Sequence, residues 1–406
     1  MNFEVLIIGT DANAYYMARC CHEAYHKKAY LIGRNKMPYT ELSSILNLEY
    51  NEHIWEEDGF LKALETFQEK HPDKKILLIS SNETYAEFIS KNKDKIHKNY
   101  VYNYPSVEII RSLIMKDKFY QTYENSILDF PKTYYYDCSN PGKLDVKFTY
   151  PVILKPCNVI EYNHLKFEGK HKIYKLESEE ELKNTLSIIV QNGYQSNLVI
   201  QEFIPGDDSY LFDAVVYADK NSKVKLISFA QIGLQEHTKS MVGNAAVLIN
   251  GYSAFEGVEE MVEKIKEFTQ SIGYCGFAEF DMKYDYRDKK FKVLEINARQ
   301  GRSSYYITPM KANLIQILVD DLIENKTLEY RFLKEKVLLS FVPKGIIKKY
   351  IKNPEFKKEA LKLWKKGKLC NPLHYKKDRN LKRLIFLFKR HVIYYREYKN
   401  SDWKVD

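Results

Sequence analysis

Several features are missing from this 406-residue chain, and each absence removes a class of protein. No apolar run reaches the roughly 18–20 residues needed to cross a bilayer, so no membrane-spanning segment is expected. The opening MNFEVLIIG carries no basic stretch and no small-residue cleavage site and runs directly into an apolar strand. A cytoplasmic protein is the expectation. The six cysteines (Cys20, Cys21, Cys138, Cys157, Cys275 and Cys370) form no C-x-x-C pair and have no histidine spacing suited to zinc, which leaves reduced, structural thiols. A G-x-G-x-x-G signature is absent too: the first strand-to-helix turn reads Gly9-Thr10-Asp11-Ala12-Asn13, and a dinucleotide role is poorly supported. No covalent nucleophile is evident.

What remains is an ordinary globular composition, 45% hydrophobic and 29% charged, in a chain long enough for two or three domains. The net charge of +9 is unevenly spread: residues 331–406 hold 23 Lys/Arg against 7 Asp/Glu, a surplus of +16, which leaves −7 on the first 330. Residues 1–105 alternate apolar strands (5–9, 29–32, 76–80, near 100–102) with helical stretches (14–24, 57–70, from Asn82), which predicts a small parallel sheet. A helix is expected from Ser106 to about Tyr123, carrying Lys116 and Lys118. Ser178-Glu-Glu-Glu181 is a capping box opening a helix that ends at Gly193. Val258, Met261, Val262, Ile265 and Phe268 space out as one core-facing helical stripe, and Gln231–Gly243 reads as a loop over a cleft.

The most informative stretch is Gly276–Ser304, GFAEFDMKYDYRDKKFKVLEINARQGRSS. Its alternation predicts a hairpin, Phe277–Asp285 and Lys290–Asn297, turning at Tyr286–Lys289. If Asp281 faces Glu295, then Glu279 faces Asn297, and all four side chains share one face while Phe280, Met282, Leu294 and Ile296 take the other. Carboxylates set directly across a sheet repel unless a cation lies between them. Two carboxylates and an amide oxygen are a natural donor set for Mg²⁺, with Mn²⁺ as its substitute, when phosphates supply the remaining oxygens. Arg299 and Arg302 follow at once and suit an anionic phosphate or carboxylate. Taken alone, the same residues also describe a solvated acidic face. Tyr150-Pro-Val-Ile-Leu-Lys155-Pro156 adds an ammonium at the end of a buried run, where it wants an anion or else snorkels to solvent.

Asp281 with Glu295-Ile-Asn297 resembles the paired magnesium ligands of the ATP-grasp ligases, and FDMKYDYRDKKFKVLEINARQGRSS with IQEFIPGDDS more narrowly resembles the D-aspartate ligases of peptidoglycan side-chain synthesis. The resemblance implies an α/β (α+β) chain: a small parallel-sheet domain (1–105), an ATP-grasp domain (106–330, in halves 106–195 and 196–330) and a basic helical extension (331–406). It implies ATP and Mg²⁺ as cofactors, with the metal on Asp281, Glu295 and Asn297. Lys118 and Lys155 would hold phosphates, Gln201, Glu202, Phe203 and Ile204 the adenine, and Asp208 the ribose. Arg299 and Arg302 would act on the transferring group, while Arg302, Ser303 and Ser304 would meet a substrate carboxylate. Thr10, Asp11 and Asn13 become substrate contacts on the same basis. The loop Cys157–Lys172 departs from the family pattern, having Gly169 where most members have a glycine-rich cover.

The implied partners are D-aspartate and a nucleotide-linked peptidoglycan precursor. Rival readings are an ATP-grasp ligase for another amino acid or acceptor, or a non-catalytic basic module for membrane or nucleic acid. In the basic tail, Leu381, Leu384, Ile385, Phe388, Val392 and Tyr395 fall on one helical stripe interleaved with lysines and arginines. Such a helix fits three uses: docking on the body, peripheral contact with an anionic membrane through 381–395, or attraction of a multiply anionic substrate such as a nucleotide-linked precursor.

Overall fold

A computed structural model of the chain describes residues 2–237, 241 and 243–401. Three sheets organise it. The first is parallel, in the order Leu46–Tyr50, Ala29–Gly33, Phe3–Ile8, Lys75–Ser80, Tyr100–Val101. Its central strands are apolar on both faces because helices cover them on both sides. Asp11 caps the helix Ala12–Tyr25 and Asn82 caps Glu83–Lys91, each accepting a backbone N–H from the first turn. The strand Leu46–Tyr50 was not foreseen. It is a half-exposed edge whose LNLEY lacks a clear apolar run.

The second sheet is antiparallel, in the order Thr133–Asp137, Asn197–Glu202, Val152–Pro156, Tyr174–Leu176. The helix Glu179–Gln191 packs Leu182, Leu186 and Ile189 into its core, with Ser178 accepting from Glu181 N at its start. Because Asn197–Glu202 pairs inside this sheet, the first half of the unit expected over residues 106–330 extends past residue 195 to residue 202.

The third sheet has nine strands. Lys290–Asn297, Gly276–Asp285, Leu211–Ala218, Ala230–Gln235, Ala245–Asn250, Val337–Ser340 and Leu369–Cys370 follow one another across it. Residues 331–406 are therefore not a helical extension: Arg331–Leu333, Val337–Ser340 and Leu369–Cys370 are strands of this sheet. Lysine counts concealed them, since a strand with one buried face still carries charges at its ends. Three other expectations change. The helix after Ser106 breaks at Met115 into Val107–Ile114 and Lys116–Tyr123. The stretch Cys157–Lys172 contains the helix Val159–His164. The first part of Gln231–Gly243, Gln231–Gln235, is buried strand, and Thr238, Lys239, Ser240 and Val242 lie outside the described residues.

The helix Leu381–Asn400 docks on the body, but with the opposite face from the one its hydropathy suggests. Arg383, Tyr394 and Tyr398 are buried while the apolar stripe faces outward. Arg383 is fully enclosed, ion-paired with Asp378 at 3.1 Å, and lies 4.0 Å over the ring of Tyr15. Asp378 also accepts from Tyr15, Ser43 and Ser44. Guanidinium stacking and satisfied hydrogen bonds here outweigh burial of leucine. Among the described residues no helix is long and apolar enough to cross a membrane.

Removing one partner strands the other charge in the interior. Arg383→Ala is expected to lower the unfolding free energy by about 3–5 kcal/mol, read as a shifted denaturant midpoint at unchanged slope.

Candidate active site

A cleft of about 760 Å³ opens between the small sheet and the nine-stranded sheet. Its floor is the hairpin Gly276–Asp285/Lys290–Asn297. Asp281 pairs with Glu295 and Glu279 with Asn297, the register anticipated from the alternation, and all four side chains line the cleft. One residue departs from that alternation. Beyond Asp281 the next pair is Met282 with Val293, so Leu294 is an extra residue at a bulge and lines the cleft instead of the core.

The adjoining strand Leu211–Ala218 sets Asp213 directly beside Asp281. Ser303 Oγ lies 2.6 Å from Asp213 Oδ2 and also touches Glu279 Oε1. A single hydroxyl hydrogen cannot serve both, so the two carboxyls are crowded around one donor. Burial, then the charges of Glu279 and Asp281, push Asp213 well above the usual carboxylate range. Asp281 is raised in the same way by burial, Glu279 and Glu295, with a 3.1 Å hydrogen bond donated by Asn297 Nδ2 opposing. Glu295 behaves oppositely. Lys116 at 2.9 Å holds it down at about 2, and Lys155 and Lys172 add to the effect.

The lysine at the cleft is thus Lys116, not Lys118. The helix break at Met115 resets the phase, so that Lys116 opens the second helix facing Glu295 while Lys118 is exposed away from it. Lys155 ends the strand Val152–Pro156 and donates to Gln201 Oε1 at 3.1 Å. Burial, then the neighbouring Lys116, lowers it to about 8. Gln201, Glu202, Phe203 and Ile204 all line the cleft. The Phe203 ring has Lys175 at 4.6 Å and Lys283 at 5.3 Å. Lys172 and His171 bring the end of the 157–172 segment to the same cleft.

Arg299 and Arg302 both line the cleft. Arg299 pairs with Glu83 at 2.6 Å. Arg302 pairs with the fully buried Glu236 and lies 4.0 Å over Phe341. Tyr394, from the helix after Asn380, donates to the same Glu236 oxygen at 3.1 Å. Arg302 Nε and Nη1 and Arg299 Nε have no hydrogen-bond partner among the described residues. Glu83, Glu236 and Tyr394 escaped the sequence reading because each sits on an element remote in the chain.

Three expected sites lie elsewhere. Asp208 accepts from the N–H and side-chain amide of Gln235, both at 2.8 Å, and does not line the cleft. Ser304 is buried beneath the turn, accepting from Gly301 N at 2.8 Å. Thr10, Asp11 and Asn13 are also spent on structure: Thr10 on Asn35 O, Asp11 on the helix cap, and Asn13 on the carbonyls of Ser81 and Gln300. Gly301 was passed over and matters. A Cβ there would fall 1.4 Å from Glu279 Oε2, so only glycine lets the turn press against the acid cluster.

The donor chemistry fits a magnesium nucleotide. Asp281 is a buried carboxylate crowded by two others, and a divalent cation would relieve that repulsion. Among the described residues no three His, Cys, Asp or Glu suffice to hold a metal by themselves, so phosphate oxygens would have to complete the shell. The lysines and the two arginines that line the cleft supply the anion-facing side.

No family model matches the chain. Solved structures share the fold. An L-amino acid ligase from Bacillus licheniformis superposes with a TM-score of 0.55 at 15% identity, over 80% of this chain and 74% of that one. An N5-carboxyaminoimidazole synthetase from Staphylococcus aureus, complexed with ADP, gives 0.58 at 14% identity, over 83% and 82%. The fold is that of the ATP-grasp ligases. A D-aspartate ligase from Enterococcus faecium (strain Aus0004) is 33% identical over 411 residues, spanning 98% of this chain and 96% of the relative. The chain belongs to the D-aspartate ligase family of ATP-grasp carboxylate–amine ligases. It is an ATP- and Mg²⁺-dependent, ADP-forming enzyme that makes a C–N bond.

Lys116→Ala is expected to lower kcat/KM for ATP by about 10²-fold, with Lys118→Ala within about twofold. Steady-state ADP release distinguishes them. Lys155 is charged below its pKa and neutral above it, so kcat/KM for ATP should fall as pH rises through about 8. A profile flat to higher pH would remove Lys155 from phosphate binding.

Proposed function

We propose that the chain activates the β-carboxylate of D-aspartate and joins it to the lysine side-chain amine of a peptidoglycan stem-peptide precursor. The full-length similarity to a D-aspartate ligase supports this reading, and so does a cleft that sets an acidic hairpin opposite lysines and arginines. A cytoplasmic location follows from the need for ATP.

A carboxylate is a poor acyl donor because its leaving group is oxide, and phosphate is a far better one. A β-carboxylate oxygen attacks the γ-phosphorus, the bond to the ADP oxygen breaks, and an acyl phosphate results. The amine then attacks the acyl carbon, the carbon–oxygen bond to phosphate breaks, and the nitrogen loses a proton to form the amide. The protein's share is positioning and charge stabilisation. Lys116 and Lys155 hold phosphates, and Gln201–Ile204 wall the adenine. Asp281, Glu295 and Asn297 would hold Mg²⁺, which when bound neutralises phosphate oxygens.

Arg299 and Arg302, which line the cleft, serve the transferring phosphoryl group and the substrate carboxylate. Ser303 is committed to Asp213 and Glu279. It serves by holding Arg302's turn against the hairpin, and the arginines are the anion receptors. Asp208 and Ser304 take no part.

Asp281→Asn and Glu295→Gln should each cut ADP formation by at least about 10²-fold. Asp281→Asn should leave thermal stability equal or higher, because it removes a repelled carboxylate. The substrate pair is tested by mass spectrometry of the product from ATP, D-aspartate and a lysine-containing muramyl pentapeptide precursor. Activity with L- but not D-aspartate would exclude this choice.

A further inference from the structure

The helix Leu381–Asn400 turns its apolar stripe away from the protein. Side chains remain widely accessible along it: Leu381 74%, Phe388 69%, Val392 52%, Ile385 47%, Leu384 46% and Tyr395 43%. On a helical projection these six fall within about a third of the circumference, so they form one continuous ridge. The inward face is engaged with the body: Arg383 with Asp378, Arg390 with Tyr39 and Tyr394, and Tyr398 with the carbonyl of Gln235. The helix cannot roll its ridge inward without breaking buried ion pairs and hydrogen bonds. The ridge is thus a stable feature of the surface.

Its border is basic. Lys382, Lys389 and Arg396 run along one edge, all exposed, with Lys376, Lys377 and Arg379 exposed just before the helix. Within the helix the sole acid is Glu397, which pairs with Arg396 at 3.2 Å. We propose that this face docks on an anionic lipid bilayer, the helix lying flat with its apolar ridge among the acyl chains and its lysines on the headgroups. An interfacial helix needs this combination of an apolar face, flanking cations and too little hydrophobicity to span.

The charge pattern separates this occupant from two others. A second copy of the chain seated ridge to ridge would bring two rows of lysines together. A nucleic acid would meet leucine and phenylalanine at the centre of the contact, where it needs cations. The opposite side of the helix bears Tyr394, which touches Glu236 and through it Arg302. The docked helix is therefore linked to the cleft through one intervening side chain, Glu236.

The test uses the full chain and sedimentation with vesicles of phosphatidylcholine, with or without phosphatidylglycerol. Binding is expected to the anionic vesicles, falling with added salt. Leu381→Glu/Phe388→Glu should weaken it by at least about tenfold, and Lys382→Glu/Lys389→Glu by a similar factor. None of these four side chains contacts the cleft, so ADP release on soluble substrates should be unchanged in both variants, which also shows that they fold. The proposal is overturned if the wild-type chain ignores anionic vesicles, or binds neutral ones equally. It is also overturned if the Leu381/Phe388 variant binds as well as wild type. A dimer that the same variant dissolves, without vesicle binding, would assign the ridge to a second copy.

Discussion

The cleft depends on a balance between carboxylates that crowd one another and cations that are held close but not all used. Asp213, Glu279, Asp281 and Glu295 come from three neighbouring strands, and the pleat forces their side chains to one face. Their fates diverge with their partners. Glu295 has Lys116 at 2.9 Å and stays ionised far into acid, whereas Asp281 receives an amide hydrogen bond and is pushed upward. The protein thus sets one ligand held in its charged form beside one whose charge is opposed by its neighbours. The turn bearing Arg299, Gly301, Arg302 and Ser303 closes over this face, and Gly301 permits the approach.

The amino-terminal sheet contributes by holding that turn. Gln300 donates to Ser80 O at 2.7 Å, Asn13 donates to Gln300 O at 3.0 Å, and Glu83 pairs with Arg299. Asn13, which the resemblance marked as a substrate contact, acts here with Gln300 as a stitch between two sheets. Their polarity is explained by backbone carbonyls that need donors in a buried seam.

The hairpin was readable because period-2 alternation and two acid–polar pairs sharing one centre leave a single register that puts Phe280 and Ile296 inward. The parallel sheet was readable for the same reason, its strands being apolar runs separated by capped helices. What escaped reading depended on events that side-chain types do not encode locally. A break at Met115 moves the useful lysine by two positions, and a bulge at Leu294 reverses one side chain. The helix Leu381–Asn400 defeats hydropathy outright. Arg383 and Tyr394 are buried because partners 344 and 158 residues away satisfy them, and composition carries no record of such partners. Asp208 failed for a similar reason, since Gln235 on another strand had claimed it.

The chain Arg302–Glu236–Tyr394 has a consequence for synthesis. A polypeptide extended only as far as residue 380 already contains every strand of the three sheets, yet Glu236 would face an empty groove where Tyr394 packs. The arginine would be present but poorly anchored. Assembly therefore leaves the tightening of this contact to the helix Leu381–Asn400, which follows all of those strands in the chain.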